Sequence, residues 1–190
     1  MKRVLLTIVA LIVVAVLVVV GIAATKPGTY RVERKAVVGA PPESVFARVD
    51  DFHRWPDWSP WEKLDPAMRR TFDGPERGVG ASYAWVGNSN VGEGKMTITE
   101  SVPDSRIALQ LEFIKPFASV TQTEFGFAPV AGGTDVTWAM AGNHDFIAKI
   151  FCVFMDMDAM IGKDFETGLA NLDASLQRSA PAPVDTVAAP

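Results

Sequence analysis

Residues 4–24 read VLLTIVALIVVAVLVVVGIAA, a run with no charge and a single hydroxyl, at Thr7. About 20 residues rising ~1.5 Å each cross the ~30 Å hydrocarbon core of a bilayer. A buried core helix is a poor reading, because the segment has no polar face. A cleaved signal peptide usually has a shorter apolar core, about 7–15 residues. Length therefore favours a retained anchor over residues 1–25, although Ala23 and Ala24 would suit a signal peptidase. Lys2 and Arg3 precede the run and favour an inside N-terminus, whereas Lys26, Arg31, Arg34 and Lys35 follow it and pull the other way. With so short a tail ahead of the span, the expectation is a single-pass membrane protein whose soluble part lies outside the cytoplasm.

Pro27 and Gly28 break the helix and leave residues 26–29 as a short stalk. The remainder, ~150 residues, is enough for one domain with a real core. A net charge of -4 and the absence of a basic stripe argue against a nucleic-acid partner. Cys152 is the single cysteine, so an internal disulfide is excluded and the compartment is left open.

The domain begins with a β-branched, charge-alternating strand over residues 30–38. Pro41 and Pro42 then open a helix with Val45, Phe46 and Val49 on its apolar stripe. The segment HRWPDWSPWEKLDP has prolines at 56, 60 and 66, and reads as a short helix with turns. Period-two alternation follows, with one apolar and one more polar face, at Ala81/Tyr83/Trp85, Met96/Ile98, Ile107/Leu109/Leu111/Phe113, Thr123/Phe125/Phe127 and Val136/Trp138/Met140. Turn signals at residues 102–105 and 131–133 make the connections too short for crossover helices, so the pairing is antiparallel. The period then changes. Met157, Ile161, Phe165, Leu169, Leu172 and Leu176 recur at steps of three and four, a long amphipathic helix. Residues 179–190 lack any such pattern and read as a disordered tail. The order is strand, helix pair, about six strands, long helix: an α+β domain over residues 30–178. Its curved sheet can bury its apolar face only against the last helix.

This order of elements, the cluster Trp55-Pro56-Asp57-Trp58-Ser59-Pro60-Trp61-Glu62 and the ending Gly162-Lys163-Asp164-Phe165-Glu166-Thr167-Gly168-Leu169 resemble the polyketide cyclase/dehydrase branch of the START-like superfamily, also called Bet v 1-like or SRPBCC. The resemblance covers about residues 30–178. It implies a helix-grip fold, in which a bent antiparallel sheet wraps a long C-terminal helix around an apolar pocket. It implies function only broadly, since members bind lipids, quinones, hormones or polyketides and few are proven enzymes.

Candidate ligand contacts are the tryptophans Trp55, Trp58 and Trp61, whose three-residue spacing puts them on one helical face. Tyr83, Trp85, Phe113, Phe125, Trp138 and Met140 on apolar strand faces join them, with Met160 on the long helix. At least one of the tryptophans, and most of the strand residues, read as ordinary core. No catalytic residue is assigned. His53 sits beside the tryptophans, His144 is followed by Asp145 without facing it, and no Gly-x-Ser-x-Gly elbow or phosphate loop occurs. Asp156, Asp158, Asp164 and Glu166 lack calcium-loop spacing and suit a helix N-terminus, so neither metal nor cofactor is expected. The leading reading is a membrane-tethered binder of a hydrophobic small molecule or lipid. A cyclase or dehydratase working in the same cavity and an interaction module with a filled interior are the alternatives. A general acid or base inside the cavity would favour the enzyme. The oligomeric state stays open.

Residues 146–155, FIAKIFCVFM, contain nine apolar residues and one lysine, Lys149. They are either fully buried core or, given the neighbouring anchor, an apolar lip resting on the lipid surface.

Overall fold

Pro27, two residues beyond Thr25, cannot continue a helix, and it ends α1 (Lys2–Thr25) in the computed structural model, which describes residues 1–179. The expected disordered tail lies outside the described residues, apart from its first position. α1 is the one helix among them long and apolar enough to cross a membrane. The chain then turns directly into β1 (Thr29–Val38). Pro42 occupies the first turn of α2 (Pro42–Val49), where its missing N–H costs nothing.

The proline-broken segment forms two 3-10 turns, Phe52–Asp57 and Pro60–Lys63. The Asp51 carboxylate accepts the His53 backbone N–H at 2.8 Å and caps the first of them. A three-residue turn stacks every third side chain, which is why Phe52, Trp55 and Trp58 are all buried.

β2 (Arg69–Asp73), β3 (Ser82–Val86), β4 (Glu93–Val102), β5 (Arg106–Lys115), β6 (Ser119–Val130) and β7 (Gly133–Asn143) complete a seven-stranded sheet in the order β1-β7-β6-β5-β4-β3-β2. Every pairing is antiparallel. The long β4–β5, β5–β6 and β6–β7 ladders follow the alternation in sequence. β2 was invisible to that alternation, because RRTFD carries only one large apolar side chain; it is one of the two edge strands, with β1 the other.

α3 (Phe146–Phe154) and α4 (Met157–Ser179) close the fold. α4 lies across the concave face of the sheet. Phe165, Leu169 and Leu172 are buried on its inner side, and it contacts β1, α2 and both 3-10 turns. Two glycines permit the close approach. A Cβ at Gly168 would run into the Trp138 ring, and one at Gly162 would overlap the Arg34 guanidinium. Arg34 reaches from β1 across α4 and donates to Asp158 at 3.0 Å and to Glu166 at 2.9 Å. This is the helix-grip architecture, α+β.

α3 has no buried residue, so the fully buried reading of its apolar run does not hold. It packs instead against the end of α1. There Val19 and Val20 are half-buried and Ala23 is completely covered.

Candidate functional site

The sheet and α4 do not meet along their whole length. At the α2 end the gap is filled by Phe46, Phe125, Phe127, Ile107, Val136 and Leu172, all buried. Toward the start of β1 and of α4 the two layers separate around a cavity of about 360 Å³. That volume lies in the usual range for small-molecule sites, roughly 300–1,000 Å³.

A layer of aromatic rings forms the floor of the cavity. Trp138 stacks on Phe165 at 4.1 Å and on Phe125 at 4.8 Å, and Trp58 and Trp61 meet it edge-on. The walls come from inward-facing positions on β3–β7, among them Trp85, Met96, Leu111, Phe113 and Met140. Tyr30, Met157 and Ile161 stand at the rim nearest α1.

Seven of the ten residues singled out in the sequence line this cavity: Trp55, Trp61, Tyr83, Trp85, Phe113, Trp138 and Met140. Trp58 and Phe125 sit behind the wall in the packed aromatic layer, where almost no surface remains to them. Met160 is half-exposed, because it lies one residue off the buried stripe of α4. Nothing in a period-two or period-3.6 pattern separates a filled end of a sheet from a hollow one. Only the height at which α4 crosses decides that.

The sequence reading passed over one polar constellation in the wall. Glu62 is buried, and its two carboxylate oxygens have separate partners. The Tyr83 hydroxyl donates to Oε1 at 2.6 Å, and Arg70 Nε donates to Oε2 at 2.7 Å. Burial, and after it the bond to Glu62, pushes the Tyr83 phenol above its ordinary range. The Arg70 guanidinium is likewise held more firmly protonated by its hydrogen bond to Glu62. The three residues come from the second 3-10 turn, β2 and β3, so only the folded β2–β3 register assembles them. Glu62 in the middle of a tryptophan-rich apolar cluster was the one available hint.

Other polar atoms are less well served. Trp55 Nε1 and Trp85 Nε1 donate to the carbonyls of Val49 and Val91, each at 3.0 Å. Trp58 Nε1, Trp138 Nε1, Thr121 Oγ1 and Thr123 Oγ1 are buried with no partner. Thr123 and Trp138 belong to the cavity wall.

The histidines lie outside the cavity. His53 is exposed, stacked on Phe72 at 4.2 Å and bonded to Asp51. His144 stacks on Tyr30 and places its ring 3.8 Å from the Cys152 sulfur. Asp145 accepts the Ala148 N–H and caps α3. Among the described residues, no group of three or more His, Cys, Asp or Glu side chains is placed to hold a metal ion.

A family model described as polyketide cyclase / dehydrase and lipid transport matches residues 29–177. Among solved structures, protein CV1439 from Chromobacterium violaceum aligns with 20% identity over 80% of this chain and 99% of its own, at a TM-score of 0.56. The Aha1 dimer from Colwellia psychrerythraea aligns with 16% identity over 80% and 99% of the two chains, at 0.57. The di-domain ARO/CYC StfQ from the steffimycin biosynthetic pathway aligns with 10% identity over 80% of this chain and 51% of its own, at 0.58. Identities this low carry the fold alone. No curated protein sequence matches the chain.

Proposed function

The chain belongs to the polyketide cyclase / dehydrase and lipid transport family, and from that premise we propose that it is a membrane-tethered binder and carrier of a hydrophobic, lipid- or isoprenoid-like small molecule. The observation that carries this reading is the apolar cavity of about 360 Å³ beneath α4. A filled interaction module would have no such space.

The wall also selects for charge. Its only ionisable acids or bases other than tyrosine are Glu62 and Asp164, and among the described residues no Lys, Arg or His faces the space. A fatty-acid carboxylate or a phosphate would leave water with no cation to meet it, which is costly. An anionic head is therefore disfavoured, and Glu62 is already engaged by Arg70 and Tyr83; we read the ligand as electrically neutral, with any polar atom it carries a hydroxyl or carbonyl oxygen.

The Glu62–Tyr83 pair is the observation favouring the enzyme alternative, a cyclase or dehydratase in the same cavity. Both Glu62 oxygens are already engaged, and a phenol held above its ordinary range is a poor proton donor at neutral pH. Binding without chemistry fits these facts better.

We read residues 1–25 as a retained anchor, with the three residues before the span inside and the domain outside the cytoplasm. Full-length protein should stay in membranes through a carbonate wash; a mature N-terminus near Thr25 would instead mark a cleaved signal. Native mass spectrometry of the full-length protein, extracted from membranes in mild detergent, should show a neutral hydrophobic compound bound near one to one. Leu111→Trp, which projects an indole into the cavity, should lose it. Recovery of only ligand-free protein from native membranes, under conditions that preserve the fold, would count against the binder.

A further inference from the structure

α3 meets α1 on one side and leaves much of its remaining apolar surface exposed. Phe154 is 70% exposed, Ile147 61%, and Phe146, Phe151 and Met155 are close to half-exposed. In a soluble protein a contiguous patch of this kind marks an interaction surface. The β5–β6 hairpin extends it. Ile114, Phe117 and Val120 at that tip are all exposed, and the Phe117 ring lies 6.0 Å from that of Phe151 on α3.

Three placements say what covers this patch. First, α3 packs against α1 beside Val19, Val20 and Ala23, the α1 side chains that the domain covers. Those positions fall inside the ~20 residues a bilayer requires, so whatever lies beside them is at the level of the lipid. Second, the junction is stiff. The His144 N–H donates to the Gly28 carbonyl at 2.8 Å, His144 stacks on Tyr30 at 4.7 Å, and Lys149 approaches Gly28. The patch cannot swing away from the anchor without breaking these contacts. Third, Tyr30, Phe113, Ser119, Met157 and Ile161 of the cavity wall belong to the same end of the sheet as α3 and the hairpin.

We infer that α3 and the β5–β6 hairpin tip form a single lipid-inserting rim beside this end of the cavity, seated in the leaflet that holds the C-terminal end of α1. The inference rests on the reading of α1 as a retained anchor. Through this rim a neutral ligand passes between bilayer and cavity without crossing water, and the partner of the exposed aromatics is the acyl region of the membrane.

The test uses the full chain in phosphatidylcholine nanodiscs. In a Cys152→Ser background, single spin labels are placed through Phe117→Cys, Ile147→Cys and Phe154→Cys. Val13→Cys in α1 and Val79→Cys in the β2–β3 loop at the opposite end of the sheet serve as references. Every labelled position is exposed, and an unchanged thermal midpoint verifies folding. The three rim labels should show the high oxygen and low nickel-chelate accessibility of the lipid phase, as Val13→Cys should, while Val79→Cys reads as aqueous. Rim labels that read as aqueous beside a lipid-phase Val13→Cys would overturn the rim and leave the anchor intact. An aqueous or missing residue 13 would overturn the anchor and the rim with it.

Discussion

On the inner face of β6, Phe127 and Phe125 are fully packed at the α2 end, and the next inward positions are Thr123, Thr121 and Ser119. The same change runs along β7, from Val136 and Trp138 to Met140 and then Gly142. One end of the sheet is thus filled by ring against ring. Along these two strands the other end carries smaller, flexible or hydroxyl-bearing side chains beside empty space. Both ends share one alternation and one pleat, so the secondary structure is equally regular in both. What differs is side-chain volume measured against the height at which α4 crosses. Interiors are normally packed to crystal-like density, so a void maintained at the end of the sheet next to α1 is a feature of the fold and not slack in it.

The largest test of that contrast is truncation. Phe125, with no exposed surface and rings from Trp55, Trp58 and Trp138 around it, should cost about 3–5 kcal/mol as Phe125→Ala. Leu111→Ala at the hollow end should cost less than about 2 kcal/mol, because the leucine already borders the void and loses fewer contacts. Denaturant titration of the full-length protein in detergent measures both. Equal costs would mean the cavity is closed in solution.

Enlarging side chains should separate the ends in the opposite sense. Ile107→Phe, at a fully buried position, should destabilise by about 1–3 kcal/mol through overpacking. Leu111→Phe should be nearly neutral, since there is room for the ring, while reducing the ligand retained on purification. A comparable loss of stability at both positions would remove the distinction between the two ends.

A third change acts on the polar knot in the wall of the hollow end. Tyr83→Phe leaves a buried Glu62 oxygen without its donor, which costs about 1–3 kcal/mol. Arg70 still holds the other oxygen, so the low end of that range is expected. Ligand retention should change little if the pair is structural. A variant with wild-type stability that no longer turns over or holds its ligand would move Tyr83 into the chemistry and revive the cyclase alternative.

Much of this contrast could not be read from the chain. The apolar N-terminal run, five of the strands that follow the helix pair and α4 were legible, because burial on one face imposes a period and the period is written in residue type. β2 was not, since an edge strand with a single large apolar residue leaves no period to find. The ten site candidates were legible as inward-facing positions. Their division into wall and packed floor was not, because position along a strand carries no mark of how far away the opposing helix will be. Glu62, Arg70 and Tyr83 are 8 and 21 residues apart from the glutamate in sequence and meet only through the β2–β3 register. For α3 the composition was plain but its place was not, since α1 supplies the surface against which it settles.

The smallest effect concerns how α4 is held over each end. Over the filled end, Phe165, Leu169 and Leu172 grip it by packing. Over the cavity that grip is missing, and Arg34 supplies ion pairs to Asp158 and Glu166, with Gly162 leaving space for the guanidinium. The hydrogen bond from Arg34, aided by its charge, holds the Asp158 carboxyl below the usual range, and the same contacts raise the affinity of Arg34 for its proton. A lowered carboxylate pKa contributes stability that is fully present above the unfolded value, near 4, and is lost as pH falls through the folded value. The pair is exposed, so the global midpoint should shift only slightly in this window. The local consequence is larger. Hydrogen exchange at about pH 3, compared with about pH 6 after correction for intrinsic rates, should show residues 157–163 opening while residues 165–178 stay protected. Arg34→Gln should open the first segment at both pH values and leave the second alone. Uniform loosening along α4 would mean that packing holds the whole helix and that its two halves do not differ.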